Sequence, residues 1–170
     1  RIPLENELGM SALESFYPFI IFTGIFAFLM PVSERIVAYY GLRRSGMLSA
    51  LLVGGGWLVS GLGREPEMVI LGIGLLTGAG TGIGYGIPLT LVDQWFPEKK
   101  GYSLGVVLFG FGVSPVIFAP TVSAYLPYGS IFPFFTVMGC LFILLIVLLT
   151  YPLRMPAHGE VVIPIRDVRE

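Results

Sequence analysis

The sequence predicts an all-α protein, a polytopic membrane helix bundle with five transmembrane helices. Three observations carry that expectation. Of the 170 residues, 55% are hydrophobic and only 12% are charged, and a mean hydropathy of +0.84 implies more apolar surface than one soluble core can hide. No charged residue occurs in 68–92 or in 101–153, and each stretch holds the roughly 20 apolar residues that a bilayer crossing needs. Between the two stand Trp95, Phe96, Pro97, Glu98, Lys99 and Lys100. An interfacial tryptophan, a helix-ending proline and paired cations are what a chain carries where it leaves lipid for water.

Taken in order, residues 1–11 read as a polar loop outside the membrane. Ser11 and Glu14 have the spacing of a capping box, in which each side chain satisfies the other residue's backbone amide. A first span is therefore expected over about 12–33, with Pro18 tolerable because it falls near the first turns. Glu34, Arg35, Arg43 and Arg44 predict a polar hairpin around Gly41. The second span, 46–61, is short and holds Gly54, Gly55, Gly56 and Trp57, where neighbours must pack closely. Arg64-Glu65-Pro66-Glu67 is a turn leading into the third span, 68–94, with proline in a helix's first turn. The fourth span, 101–125, contains Pro115 and Pro120, which predict kinks. Ser130 can cap the fifth, 131–151, whose large aliphatic run faces lipid. Residues 155–170 read as a cytoplasmic tail or linker.

Cation placement orients the bundle. Arg35, Arg43, Arg44, Lys99, Lys100, Arg154, Arg166 and Arg169 fall at one end, and Arg1 and Arg64 at the other. The positive-inside bias makes the first end cytoplasmic in a multi-pass protein of the cell membrane, the inner membrane if the source is bacterial.

The third span carries Gly74, Gly78, Gly82 and Gly86, a bare ridge repeating every four residues. Such a ridge either lets a neighbouring helix come close or borders a solute path. Gly101 and Gly105 begin a similar ridge on the fourth span. Thr77, Thr81 and Tyr85 set hydroxyls at the same spacing, so they either line a polar cavity or bond back to carbonyls one turn earlier. Asp93 is either an intramembrane carboxylate or a surface group facing Lys99 or Lys100.

Several function classes are excluded. A net charge of -1 gives no basic footprint for nucleic acid. Cys140 is the single cysteine and His158 the single histidine, so no cofactor or metal is expected. Residues 101–105 match Gly-x-Ser-x-Gly, but no strand precedes Ser103 and no Asp or Glu lies between it and His158. Residues 72–86 lack both the Gly-x-Gly-x-x-Gly spacing and a following Lys. No enzyme is expected, and no catalytic residue.

The hairpin PVSERIVAYYGLRR, 31–44, resembles the loop between the second and third helices of the major facilitator superfamily. Gly41, Arg43 and Arg44 match the end of that motif, while Glu34 occupies its first glycine position and Ala38 its acidic one. WFPEKKGYSLG, 95–105, with GFGVSPVIFAP, 110–120, is similar to the oxalate/formate antiporter-like and monocarboxylate branch. The resemblance spans about Ser11 to Arg154, the second to sixth helices of the family's amino-terminal half. It implies a first helix and a carboxy-terminal half elsewhere in the same protein, and a small organic anion as substrate. Thr81, Tyr85, Phe109 and Ser114, in the middle of the two glycine-rich spans, are the substrate-path candidates. A permease subunit or small helical scaffold with an assembly role is the alternative.

Overall fold

The computed structural model describes Glu5, residues 7–125, Pro127 and residues 129–153. Arg1, Arg154, His158, Arg166 and Arg169, with the expected tail 155–170, lie outside the described residues. The described chain forms five helices long and apolar enough to cross a membrane: α1 Glu14–Tyr40, α2 Leu42–Gly63, α3 Pro66–Trp95, α4 Pro97–Tyr125 and α5 Ile131–Thr150. No strand occurs among the described residues.

Side chains satisfy backbone amides just before α1 and at the start of α5. The Ser11 amide donates to Glu14 Oε2 at 2.8 Å and the Glu14 amide to Ser11 Oγ at 3.3 Å, the reciprocal pair of a capping box. Ser130 Oγ accepts from the Phe132 amide at 3.4 Å at the start of α5. Glu7, 124 residues earlier in the chain, accepts from the Ile131 amide at 2.9 Å and from the Ser130 hydroxyl. The amino-terminal stretch thus caps the last helix. Met10 is buried beside Val69, Ile131, Phe132, Phe134 and Phe135, with Leu8 packed against them.

Two helices outrun their expected limits. α1 continues through Pro31 and past Ser33 to Tyr40, and α2 begins at Leu42, so the polar hairpin reduces to Gly41. Gly41 has φ +83°, a left-handed conformation that a side chain would strain. Its amide donates to Val37 O at 2.9 Å and its carbonyl accepts from the Ser45 amide at 3.1 Å. Glu34 and Arg35 are exposed, so at a water-facing helix end they give the backbone no reason to stop.

α3 packs against both α1 and α2, and α2 also packs against α5. Small residues make those approaches possible. A Cβ added at Gly54 would lie 2.7 Å from Gly139 O of α5, and one at Gly139 2.8 Å from Gly54 O. Trp57 of α2 meets Phe135 and Phe142 of α5 edge-on. α4 stands apart, touching the other helices through rings: Phe118 stacks on Phe142 of α5, and Tyr125 lies 5.4 Å from Phe134.

Candidate functional site

The glycine ridge of α3 lies against α1. Cβ atoms added at Gly74, Gly78, Gly82 and Gly86 would meet, in turn, Ile21 with Pro18 O, Phe22 O, Leu29 and Ser33. A second row faces α2. Added Cβ atoms at Gly72, Gly80 and Gly84 would meet Gly56 O, the Val53 amide and Ser49 Oγ. Ser49 Oγ donates to Gly80 O at 2.8 Å across this interface. Both rows of α3 are points of close approach to a neighbouring helix.

On the α4 side of this pair three rings converge. Tyr85 of α3 meets Phe26 of α1 edge-on with centroids 5.6 Å apart, and Phe111 of α4 edge-on at 6.1 Å. Phe26 and Phe111 stack at 6.5 Å, and Phe22 continues the stack from Phe26. A phenol among phenyl rings gives a wall that is apolar by area, with one hydroxyl to place a polar ligand.

The expected site residues do not all gather there. Thr81 is half-buried one turn before Tyr85, while Phe109 and Ser114 on α4 are exposed. Ser114 Oγ donates to Phe111 O at 2.9 Å. Thr77 does not share Tyr85's face: it is buried toward α2, donating to Gly72 O at 3.0 Å and lying 3.4 Å from Val53 O. Gly101 and Gly105 do not pack in the described structure, since nothing lies within 4 Å of an added Cβ at either. α4 meets its neighbours through the rings of Phe111, Phe118 and Tyr125, and nothing lies within 4 Å of an added Cβ at Gly110 or Gly112 either.

Among the described residues, Arg35, Arg43, Arg44, Lys99 and Lys100 stand at one end. Val37, Leu42 and Ile87 pack together with Leu91 and Leu153, joining the ends of α1, α3 and α5 to the start of α2. The Arg43 guanidinium sits over the Tyr151 ring, 5.5 Å from its centroid. Asp93 and Lys100 form an ion pair, with side chains 63% and 48% exposed, respectively. Arg64, at the opposite end, lies 6.0 Å from the Phe132 centroid.

Residues 2–166 match the sequence profile of the Major Facilitator Superfamily. The chain belongs to that superfamily. It is 28% identical to the oxalate:formate antiporter of Oxalobacter formigenes over 169 residues, which is 97% of this chain and 40% of that protein. It is 32% identical to apicoplast pyruvate carrier 1 of Toxoplasma gondii over 52% of this chain and 17% of the carrier. Against monocarboxylate transporter 9 of Rattus norvegicus it is 27% identical over 71% of this chain and 23% of the transporter. The chain spans at most 40% of the length of these relatives.

Membership in the major facilitator superfamily makes this an integral, multi-pass membrane protein of a transporter family, not an enzyme. Spacing alone does not single out two of the converging rings, Phe26 and Phe111. The available signal was composition: each sits among other aromatics, in FYPFIIFTGIF and in FGFG. The second glycine row was also within reach, because Gly80 and Gly84 repeat at four residues like the first.

Proposed function

We propose that the intact protein is a secondary active transporter that moves small mono- or dicarboxylates by alternating access, with this chain supplying five helices of one half. The convergence of Tyr85, Phe26 and Phe111 from three helices is the observation that carries the reading. Their position toward the middle of their spans suits a site near the midplane, where such transporters bind their solutes. The names of the relatives, which include oxalate, formate, pyruvate and monocarboxylates, support the substrate class.

The spans between 46 and 153 hold no Arg, Lys or His away from their ends. A carboxylate at mid-membrane without a counter-charge costs several kcal/mol or more. The neutralising Arg or Lys therefore projects from a part of the protein outside this chain, facing the wall that Tyr85 and Thr81 provide. Phe109 and Ser114 belong to the α4 side of the same path. The end bearing Gly41, Arg43, Arg44, Asp93, Lys99 and Lys100 faces the cytoplasm.

Uptake by the intact protein tests this. Tyr85→Phe removes one hydrogen bond of roughly 0.5 to 1.5 kcal/mol and weakens substrate binding up to about tenfold while assembly is preserved. Unchanged affinity in Tyr85→Phe and Thr81→Val removes both residues from the site. A preference for cations or neutral sugars over small carboxylates removes the substrate class.

A further inference from the structure

α3 is not a uniform α-helix. Its segment Ile70–Thr77 is π-helical, eight residues long, between α-helical Pro66–Val69 and Gly78–Trp95. π-helix closes i→i+5 hydrogen bonds, costs more than α-helix and appears mostly as single turns, frequently at functional sites. Something in the surroundings must favour eight residues of it.

The crossing with α2 supplies a reason. An added Cβ at Gly56 of α2 would lie 2.3 Å from Gly72 O and 2.5 Å from Thr77 Oγ1, so both residues of α3 press on one point. An added Cβ at Gly72 would in turn lie 2.2 Å from Gly56 O and 2.3 Å from Ser60 Oγ. At 3.6 residues per turn, positions five apart on an α-helix point about 140° away from each other. The wider π turn brings them to one side. Thr77 then completes the turn through its side chain, bonding the carbonyl five residues back, and it is only 5% exposed.

We propose that the π segment sets the rotational register of the inner half of α3, and that Thr77 is its positioning residue. The register aims Tyr85 at Phe26 and Phe111. Were the segment α-helical, each residue of register lost would turn everything from Gly78 to Trp95 by about 100°. Tyr85 would leave the α1–α4 side, so the hydroxyl assigned above to the substrate wall depends on a turn eight residues away. This deepens the transport reading and rests on it, whereas the register itself is a matter of backbone geometry.

The test uses the intact protein, with uptake of labelled oxalate, formate and pyruvate and with structures determined by cryo-electron microscopy. Thr77→Val keeps the side-chain shape without the hydroxyl and raises the half-saturating concentration about three- to tenfold, while Thr77→Ser stays within about twofold. The Thr77→Val/Tyr85→Phe double variant is no weaker than the worse single variant, because both changes act on one hydroxyl. Wild-type affinity in Thr77→Val, or fully additive losses in the double variant, overturns the proposal. If Tyr85→Phe alone is silent, or none of the three anions is carried, the substrate reading fails by itself. The register is then decided by the structure of Thr77→Val: a Tyr85 ring displaced from Phe26 and Phe111 supports it, and an unmoved ring overturns it. Should Thr77→Val fail to fold, the unsubstituted structure decides, since i→i+4 bonding through 70–77 overturns the proposal and i→i+5 bonding sustains it.

Discussion

Ser114 donates its hydroxyl proton to the carbonyl of Phe111, the acceptor that Pro115 leaves without an amide four residues on. A proline inside a helix removes that donor, and a neighbouring serine is one of the groups that re-satisfy the freed carbonyl in a membrane helix. The serine therefore steadies the backbone next to a ring of the candidate site. Ser114→Ala should lower stability by about 1 kcal/mol and Ser114→Thr should not, as measured by thermal unfolding in detergent. Equal melting temperatures for both would show that Phe111 O has another donor.

Glycines in this bundle should separate into two classes on substitution. Gly56→Ala and Gly72→Ala place a methyl group against backbone oxygen at 2.3 and 2.2 Å, respectively, and should each cost about 1–3 kcal/mol through forced helix separation. Gly24 and Gly55 have open space around them. There alanine should be neutral or stabilising by up to about 1 kcal/mol from helix propensity. A melting-temperature series over the four variants reads the difference, and a uniform response would contradict the close crossing.

Orientation can be read by labelling. In a Cys140→Ser background, single cysteines at Arg43 and Lys99 should resist an impermeant thiol reagent in intact cells, while one at Glu65 should react. Reversed labelling would place the cationic end outside.

The exposed Asp93–Lys100 pair has the character of a surface ion pair, worth up to about 1 kcal/mol and screened by salt. Asp93→Asn should leave the half-saturating concentration within about twofold and shift stability by less than about 1 kcal/mol at physiological salt. Abolished transport with folded protein would instead give Asp93 the part of an intramembrane carboxylate.

Hydropathy, the capping box at Ser11, the cap at Ser130 and the four-residue glycine repeat made the bundle and one of its interfaces legible from the sequence. Each is a local signal, carried within a few residues. What stayed hidden is relational. Thr77 and Tyr85 stand eight residues apart on regular helix, an angle of about 80°, so a four-residue hydroxyl spacing groups them although Thr77 faces α2 and Tyr85 faces α1 and α4. Phe26 and Phe111 acquire meaning from meeting across three helices. Glu34 and Arg35 suggested a break because charge marks the edge of lipid, but a helix can continue into water, and α1 does so as far as Tyr40.

The bond from the Ile131 amide to Glu7 has a consequence for biogenesis. Because 124 residues separate donor and acceptor, a chain made from its amino terminus must hold Glu7 undocked until the segment at Ile131 has left the ribosome. At about 5–20 residues per second that interval lasts roughly 6 to 25 seconds. Contacts within the α1–α2 hairpin can form during it, whereas the end of the bundle bearing Met10 and Val69 closes only after α5 begins to enter the membrane. Membrane insertion arrested before Ile131 would leave that end open, with Met10 deprived of its Phe132, Phe134 and Phe135 neighbours.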